Sequence, residues 1–247
     1  MFASITAMFD RAVAFILSLL VFIFPIKPVN EPLNGKGNIT VTAHSGCMGL
    51  PDNSIEAMEK GIEAGAQIVE FDLNYTADGE PVLNHDTPEN PDGYVTLAQA
   101  FEFLSEHKDI RANVDVKSTA YLEKLEPLAE EYGVTEQLFF TGLNEDDIPV
   151  AKEKAPNVPY YLNTGVEMDT DLEALAKKAA ELGAIGLNLN WKDCTIKLVK
   201  VCHSLGLEVS VWTVNEERGA KEMALIGVDN ITSRNPDMVC EAIAGLK

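Results

Sequence analysis

Short apolar runs rich in β-branched residues alternate along this chain with longer stretches of helical periodicity, and that alternation limits the folds it can adopt. Eight runs are predicted as strands: Ile39–Ala43, Ile68–Tyr75, Ala112–Lys117, Leu138–Gly142, Tyr160–Asn163, Ile185–Asn190, Val209–Val214 and Asn230–Ser233. Helical stretches separate them, and a last helix is expected over Pro236–Leu246. Strands and helices in strict alternation predict an α/β fold, a TIM-type (β/α)8 barrel, with a doubly wound open sheet as the alternative.

The length of 247 residues suits a single barrel of this kind. No G-x-G-x-x-G follows any predicted strand, so a dinucleotide site has no support. In a barrel the chemistry lies at the carboxyl ends of the strands. The residues predicted there with polar or aromatic side chains are His44, Asp72, Asp115, Lys117, Asn190, Trp212 and Asn215.

The N-terminus differs in composition from the rest of the chain. Ala12 to Ile26 is apolar except for Ser18 and Pro25, which predicts an N-terminal hydrophobic helix within residues 1–27. Residues 28–38 read as a linker and residues 39–247 as the barrel domain. We expect a membrane anchor with an extracytoplasmic catalytic domain. A cleaved signal segment, giving a secreted protein, and a buried core helix are the alternatives.

The formal net charge of −20 argues against a nucleic-acid partner. An anionic substrate would be repelled unless a bound cation and local basic groups reversed the field. The four cysteines form no C-x-x-C pair, so they predict neither a disulfide framework nor a zinc site.

Carboxylates and histidines cluster around the second predicted strand. Glu70 and Asp72 are two residues apart and therefore share one face of that strand. Asp78-Gly79 is a typical two-residue hairpin turn, which makes Pro81–Asn84 an antiparallel extension. This turn predicts that Asp72 lies opposite His85, with Cβ atoms ~5 Å apart. Together with His44 these side chains are suited to metal-assisted acid–base chemistry.

Several ordered motifs resemble those of the glycerophosphodiester phosphodiesterase family. They are His44-Ser45-Gly46, Pro51-Asp52-Asn53-Ser54, Glu70-Phe71-Asp72, Asp78-Gly79, His85-Asp86, Asn113-Val114-Asp115-Val116-Lys117, Val211-Trp212-Thr213-Val214-Asn215 and Gly227-Val228-Asp229 through Pro236. The resemblance covers residues 39–246. It implies a TIM-type barrel that hydrolyses glycerophosphodiesters to glycerol 3-phosphate and an alcohol, with one divalent cation, Mg²⁺ or Ca²⁺.

The same resemblance implies a role for each site residue. His44 and His85 match the acid–base pair, one taking the proton of the attacking hydroxyl and the other protonating the departing alkoxide. Three carboxylates match the metal ligands: Glu70, Asp72 and Asp115. Lys117 would contact a phosphate oxygen. Trp212 would form a wall of the substrate pocket, although packing within the barrel explains a tryptophan there equally well.

Three departures from the family pattern bear on the substrate. Ser45 stands where the family usually has arginine, so a bidentate charged contact to phosphate is missing there. Asp52 and Asp115 replace glutamates and are one methylene shorter, which predicts a water-mediated contact or a larger ion for Asp115. A short segment after His85-Asp86 predicts an open pocket, suited to a bulky or lipid alcohol.

Two other functions are compatible with these residues. The Asp115-x-Lys117 arrangement also resembles barrel phospholipases D of the sphingomyelinase D group, so a lysophospholipase D acting on membrane lysolipids is one alternative. The other is a catalytically silent barrel that binds a phosphate ligand. The Trp-Thr-Val-Asn and Gly-Val-Asp motifs favour the glycerophosphodiesterase.

Overall fold

A computed structural model describes residues 39–88 and 92–246 of the chain. The predicted hydrophobic segment 1–27 and the linker 28–38 lie outside these residues. The strands are β1 Thr40–Ala43, β2 Ile68–Tyr75, β3 Pro81–Leu83, β4 Arg111–Val116, β5 Leu138–Thr141, β6 Tyr161–Asn163, β7 Gly186–Asn190, β8 Glu208–Trp212 and β9 Asn230–Ser233. The α-helices are α1 Ile55–Glu63, α2 Leu97–Glu106, α3 Leu125–Tyr132, α4 Asp147–Lys154, α5 Leu172–Leu182, α6 Ile196–Ser204, α7 Glu217–Ile226 and α8 Pro236–Ala244.

Eight of these strands form a parallel barrel. Their order is β5-β4-β2-β1-β9-β8-β7-β6, and β3 pairs with β2 off this path. A parallel bridge between Phe140 and Tyr160 links β5 to the start of β6 and closes the circle. The predicted TIM-type (β/α)8 barrel is therefore confirmed, and the open doubly wound sheet is wrong.

Local sequence signals explain where the helices begin and end. Thr96 and Gln99 form a capping box at the start of α2, and the Asp171 side chain accepts two backbone N–H groups at the start of α5. Gly183 ends α5 in the left-handed conformation that glycine adopts without strain. These helices pack their apolar faces on the buried strands, and the shared core holds the strand ends in place.

The hairpin between β2 and β3 differs from the sequence prediction by one residue. Thr76 pairs with Glu80, so the loop holds three residues, and Gly79 occupies its left-handed position with φ of 82°. The Thr76 hydroxyl stabilises this longer loop by accepting from the Glu80 N–H at 2.9 Å. Asp72 therefore faces Asn84, whose N–H donates to the Asp72 carbonyl, and the predicted Asp72–His85 pairing is wrong.

Within residues 39–88 and 92–246, every helix is too short or too polar to span a lipid bilayer.

Candidate active site

Three carboxylates converge at the carboxyl ends of two adjacent strands. In the parallel register of β2 and β4, Asp72 lies beside Asp115, and Glu70 points to the same side as Asp72. One oxygen from each of the three side chains lies within 4.8 Å of the others. Glu70 and Asp72 are 4% and 5% exposed, so their charges have little water to solvate them. The cluster predicted from the sequence is present.

The loop after β1 holds two of these carboxylates in place. The backbone N–H of Ser45 donates to Glu70 Oε2 at 2.7 Å. The Asn53 side chain makes two contacts with Asp72, donating from Nδ2 to Oδ2 at 2.9 Å and accepting the Asp72 N–H at 2.8 Å. Asn53 adopts a left-handed backbone with φ of 61°, a conformation that asparagine tolerates better than most residues. Its contacts fix the rotamer of Asp72.

Lys117 lies inside the carboxylate cluster. Its ammonium is 2.8 Å from Asp115 Oδ2 and 3.0 Å from Asp72 Oδ1. Burial works against the charged lysine, but the two carboxylates outweigh it and raise its pKa above the ordinary value. Lys117 is therefore a permanent cation at the floor of the site.

One ammonium does not neutralise three carboxylates, two of them buried and the third half-buried. Burial, with the charges of Asp115 and Asp72, raises the pKa of Glu70 well above its ordinary value. Burial likewise raises the pKa of Asp115. The Oδ1 atom of Asp115 is buried and accepts no hydrogen bond from the described residues. Close oxygen ligands with excess negative charge and an unpartnered oxygen fit a hard divalent cation.

His44 lies at the end of β1, next to the cluster. Its Nδ1 is 3.1 Å from the Ser45 hydroxyl and 3.7 Å from Glu70 Oε2. Burial, together with the positive charge of Arg234, lowers the pKa of His44 to about 4. The imidazole is neutral near pH 7 and is thus able to accept a proton.

His85 lies on the rim of the same cavity. Its side chain is 71% exposed, and Nδ1 is 2.9 Å from Asp86 Oδ1. The cavity occupies about 590 Å³ and brings both histidines together with Glu70, Asp72 and Asp115. His85 reaches it through the loop after β3, although the predicted strand pairing does not hold.

Uncharged polar side chains also line the cavity. Four of them are Asn113, Thr141, Asn163 and Asn188. Two hydrogen bonds join them in pairs, from the Thr141 hydroxyl to Asn113 at 2.7 Å and from Asn188 Nδ2 to Asn163 at 3.1 Å. Trp212 also lines the cavity and is 38% exposed. The lining therefore combines charged groups with neutral amide and hydroxyl groups.

Three residues of the site had no role assigned from the sequence. Asn53 and Arg234 both stand in the motifs quoted above, but motif position alone does not reveal their partners. Gly142 follows β5 with φ of 82°, and a Cβ there would lie 2.3 Å from Asp115 Oδ1. Its glycine identity and its position at a strand end are the signals that would have indicated a close approach to the site.

A (β/α)8 barrel that brings two histidines, a lysine and a carboxylate cluster able to hold a cation to the carboxyl ends of its strands has the arrangement expected of an enzyme. The chain belongs to the glycerophosphoryl diester phosphodiesterase family, whose profile matches residues 44–100 and 87–238. The family resemblance read from the sequence is confirmed.

Individual relatives agree with this assignment. A glycerophosphodiester phosphodiesterase from Caldanaerobacter subterraneus subsp. tengcongensis is 25% identical over 240 residues, covering 82% of this chain and 97% of the relative. A crystal structure of a glycerophosphodiester phosphodiesterase from Parabacteroides distasonis has a TM-score of 0.72 at 24% identity, covering 85% of this chain and 99% of that one. An Oleispira antarctica phosphodiesterase solved with sn-glycerol-3-phosphate has a TM-score of 0.70 at 22% identity, covering 83% and 96%. The two structures support the fold.

Proposed function

We propose that this chain is a metal-dependent phosphodiesterase that hydrolyses glycerophosphodiesters to glycerol 3-phosphate and an alcohol. One observation carries the proposal: the carboxylates of Glu70, Asp72 and Asp115 converge beside a neutral His44 in a cavity open to solvent. Family membership narrows the chemistry to phosphodiester hydrolysis, and the product named for the Oleispira antarctica structure agrees with it.

The two histidines divide the proton transfers in this proposal. Neutral His44 takes the proton from the attacking hydroxyl, either of water or of the substrate's own glycerol. His85 protonates the oxygen of the departing alcohol. Its Nδ1 lies against Asp86, which leaves Nε2 as the ring nitrogen that delivers the proton. The exposure of His85 at the rim suits an alcohol that leaves toward solvent.

Glu70, Asp72 and Asp115 are the proposed ligands of one Mg²⁺ or Ca²⁺ ion. Such an ion, when bound, supplies positive charge that offsets the charge building on the phosphoryl oxygens. Asp115 has a free oxygen for this role, since Oδ1 has no hydrogen-bond partner among the described residues while Oδ2 contacts Lys117. The Lys117 ammonium would contact a phosphate oxygen through an N–H that these carboxylates do not use.

The remaining proposed substrate contacts are weaker. Trp212 provides an apolar face at the mouth of the cavity. The Ser45 hydroxyl lies 3.1 Å from His44 Nδ1, where it orients the imidazole and reaches the substrate only as a neutral hydrogen-bond partner.

Turnover of glycerophosphocholine by the whole chain tests this function. Glycerol 3-phosphate release is measured with Mg²⁺, with Ca²⁺ and with EDTA. We expect turnover with at least one cation and none with EDTA. If no cation supports turnover, the proposal is wrong, and tight ligand binding without hydrolysis would instead support the silent phosphate-binding barrel.

A second candidate is a lysophospholipase D that acts on lysolipids, and one observation favours it. Apolar side chains are exposed on three loops around the mouth: Met48 after β1, Met168 after β6 and Trp212 at the end of β8. Such a rim would contact acyl chains, with the N-terminal segment as an anchor that keeps an extracytoplasmic barrel near the bilayer. Choline release from lysophosphatidylcholine, without glycerol 3-phosphate release from glycerophosphocholine, would support it.

A further inference from the structure

Arg234 stands beside His44 because their strands are neighbours. In the parallel pairing of β1 and β9, Ala43 lies opposite Ser233, and the His44 N–H donates to the Ser233 carbonyl at 2.9 Å. Arg234 is the next residue after Ser233, and its backbone carbonyl accepts the Met48 N–H at 2.8 Å. Its side chain lines the same cavity as the carboxylate cluster.

The guanidinium of Arg234 is held in a defined position. Nη1 donates to Asp52 Oδ1 at 2.7 Å and to the Gly46 carbonyl at 3.2 Å, and Nη2 donates to Asp52 Oδ2 at 3.3 Å. Glycine is required at position 46, since a Cβ there would lie 1.8 Å from Asp52 Oδ1 and 2.9 Å from Nη1. The loop after β1 is therefore shaped around this ion pair.

These contacts leave part of the guanidinium available. Arginine has five N–H donors, and the contacts with Asp52 and Gly46 use three of them. The Nε donor and one Nη2 donor have no hydrogen-bond partner among residues 39–88 and 92–246. The side chain is 41% exposed, so a ligand in the cavity can reach it.

Arg234 and Lys117 are the cavity's lysine and arginine side chains within the described residues, and they flank His44. Lys117 follows β4 and Arg234 follows β9, while β1, which carries His44, lies between them in the strand order. A phosphodiester has two nonbridging oxygens that share its negative charge. The placement of the two cations suits one oxygen on each side of His44.

We propose that Arg234 binds a nonbridging phosphoryl oxygen of the substrate, on the side of His44 away from Lys117. Arg234, which follows β9, thus supplies a guanidinium contact that the neutral side chain of Ser45, in the loop after β1, does not make. Asp52 is the positioning residue that fixes the orientation of the Arg234 guanidinium. This inference rests on the proposed function, because it assigns a phosphate-bearing ligand to the same cavity.

Three variants of the whole chain test it: Arg234→Ala, Arg234→Lys and Arg218→Ala. Arg218 is exposed on α7 and does not line the cavity, so its variant controls for the loss of one positive charge. Two quantities are measured, kcat and KM for glycerophosphocholine, and the calorimetric Kd for glycerol 3-phosphate with the cation present.

We expect Arg234→Ala to raise KM and Kd by about 10- to 100-fold, as for a lost charged hydrogen bond. Arg234→Lys keeps the charge and the ion pair with Asp52 but loses the planar fork, so a rise of about 3- to 10-fold is expected. Arg218→Ala should match the wild type. If Arg234→Ala does not fold, the lysine variant carries the test.

Unchanged KM and Kd in the folded Arg234 variants would overturn the proposal and leave Arg234 with a purely structural role. A Kd change equal to that of Arg218→Ala would overturn it as well, since the effect would then be one of net charge. Failure of the proposed function is separate from both: the wild type would then lack turnover, while calorimetry with glycerol 3-phosphate would still test Arg234.

Discussion

The two ends of the barrel use their polar side chains in opposite ways. At the end where the strands begin, charged groups have individual partners: Tyr161 donates to Glu208 at 2.5 Å, and Arg111 stacks over the Phe139 ring at 4.6 Å. At the end where the strands finish, Glu70, Asp72 and Asp115 lie together with one lysine between them.

The end where the strands begin is therefore built for stability, and the end where they finish is built for chemistry. The Asp229 carboxylate near the strand starts accepts from Val209 N at 2.8 Å and lies 2.7 Å from His203 Nε2, so it is well compensated. The raised pKa of Glu70 means that its ionised form is unfavourable in the folded protein without a cation. Substitutions at the two ends should therefore separate activity from stability.

The largest expected effect is on turnover at the strand-finishing end. His44→Ala or His85→Ala should lower kcat by ~10²-fold or more, because each removes a proton-transfer group. The free energy of unfolding should change little for His85→Ala, since that side chain is mostly exposed. Steady-state kinetics and thermal melts check both points. Near-normal rates in both variants would contradict the two-histidine assignment.

Gly142→Ala should lower both the stability of the fold and the affinity of the site for the cation. The new Cβ would lie 2.3 Å from Asp115 Oδ1 and 2.6 Å from the Val116 carbonyl, at a residue with positive φ. Overpacking of this kind costs ~1–3 kcal/mol, and the displaced Asp115 should weaken cation binding as well. Gly165→Ala is the matched control, since a Cβ there meets nothing within 4 Å. Equal melting temperatures and cation affinities in the two variants would show that Asp115 does not need this space.

The fall in activity at low pH should depend on the concentration of the cation. His44 remains neutral down to its pKa of about 4, whereas burial raises the pKa of Glu70 well above its ordinary value, so this ligand binds a proton at higher pH than His44 does. Protons therefore compete with the cation before His44 titrates. Tenfold more cation should move this acid limb to lower pH by up to ~1 unit. The check is kcat/KM against pH at both cation concentrations. If the acid limb does not move, a group other than the cation ligands causes it.

The smallest effect on turnover is expected at the end of the barrel where the strands begin. Tyr161→Phe removes the hydrogen bond to Glu208 and should lower the free energy of unfolding by ~1–3 kcal/mol. The kcat should remain at the wild-type level, because Tyr161 does not line the cavity. Denaturant unfolding and turnover measured together check this separation. A loss of turnover in the folded variant would mean that the two ends are coupled.

The positions of the strands were predictable from the sequence because the spacing of apolar residues along the chain reflects the local backbone conformation. Glu70 and Asp72 share a face through strand alternation, and Asp115 joins them through the parallel register. The position of His85 was not predictable in detail. Asp78-Gly79 is compatible with two loop lengths, and the Thr76 hydroxyl decides between them through a contact with the Glu80 N–H.

Contacts between distant loops were also beyond the sequence. Arg234 meets Asp52 across 182 positions, and Gly142 meets Asp115 only because β4 and β5 are adjacent. The motifs indicate which residue types form such a site, whereas the folded barrel determines which of these residues contact one another.

Calorimetric titration of Mg²⁺ and Ca²⁺ into the cation-free wild type and into Glu70→Gln is the decisive experiment for the cation site. We expect one site in the wild type, with a rise in melting temperature on binding, and a loss of at least tenfold in affinity for the variant. We also expect cation-free Glu70→Gln to melt no lower than the wild type near pH 7, because a carboxylate whose pKa is raised by burial destabilises the folded state once ionised. Equal cation affinities in the two proteins, or no binding to either, would contradict a cation site at Glu70, Asp72 and Asp115.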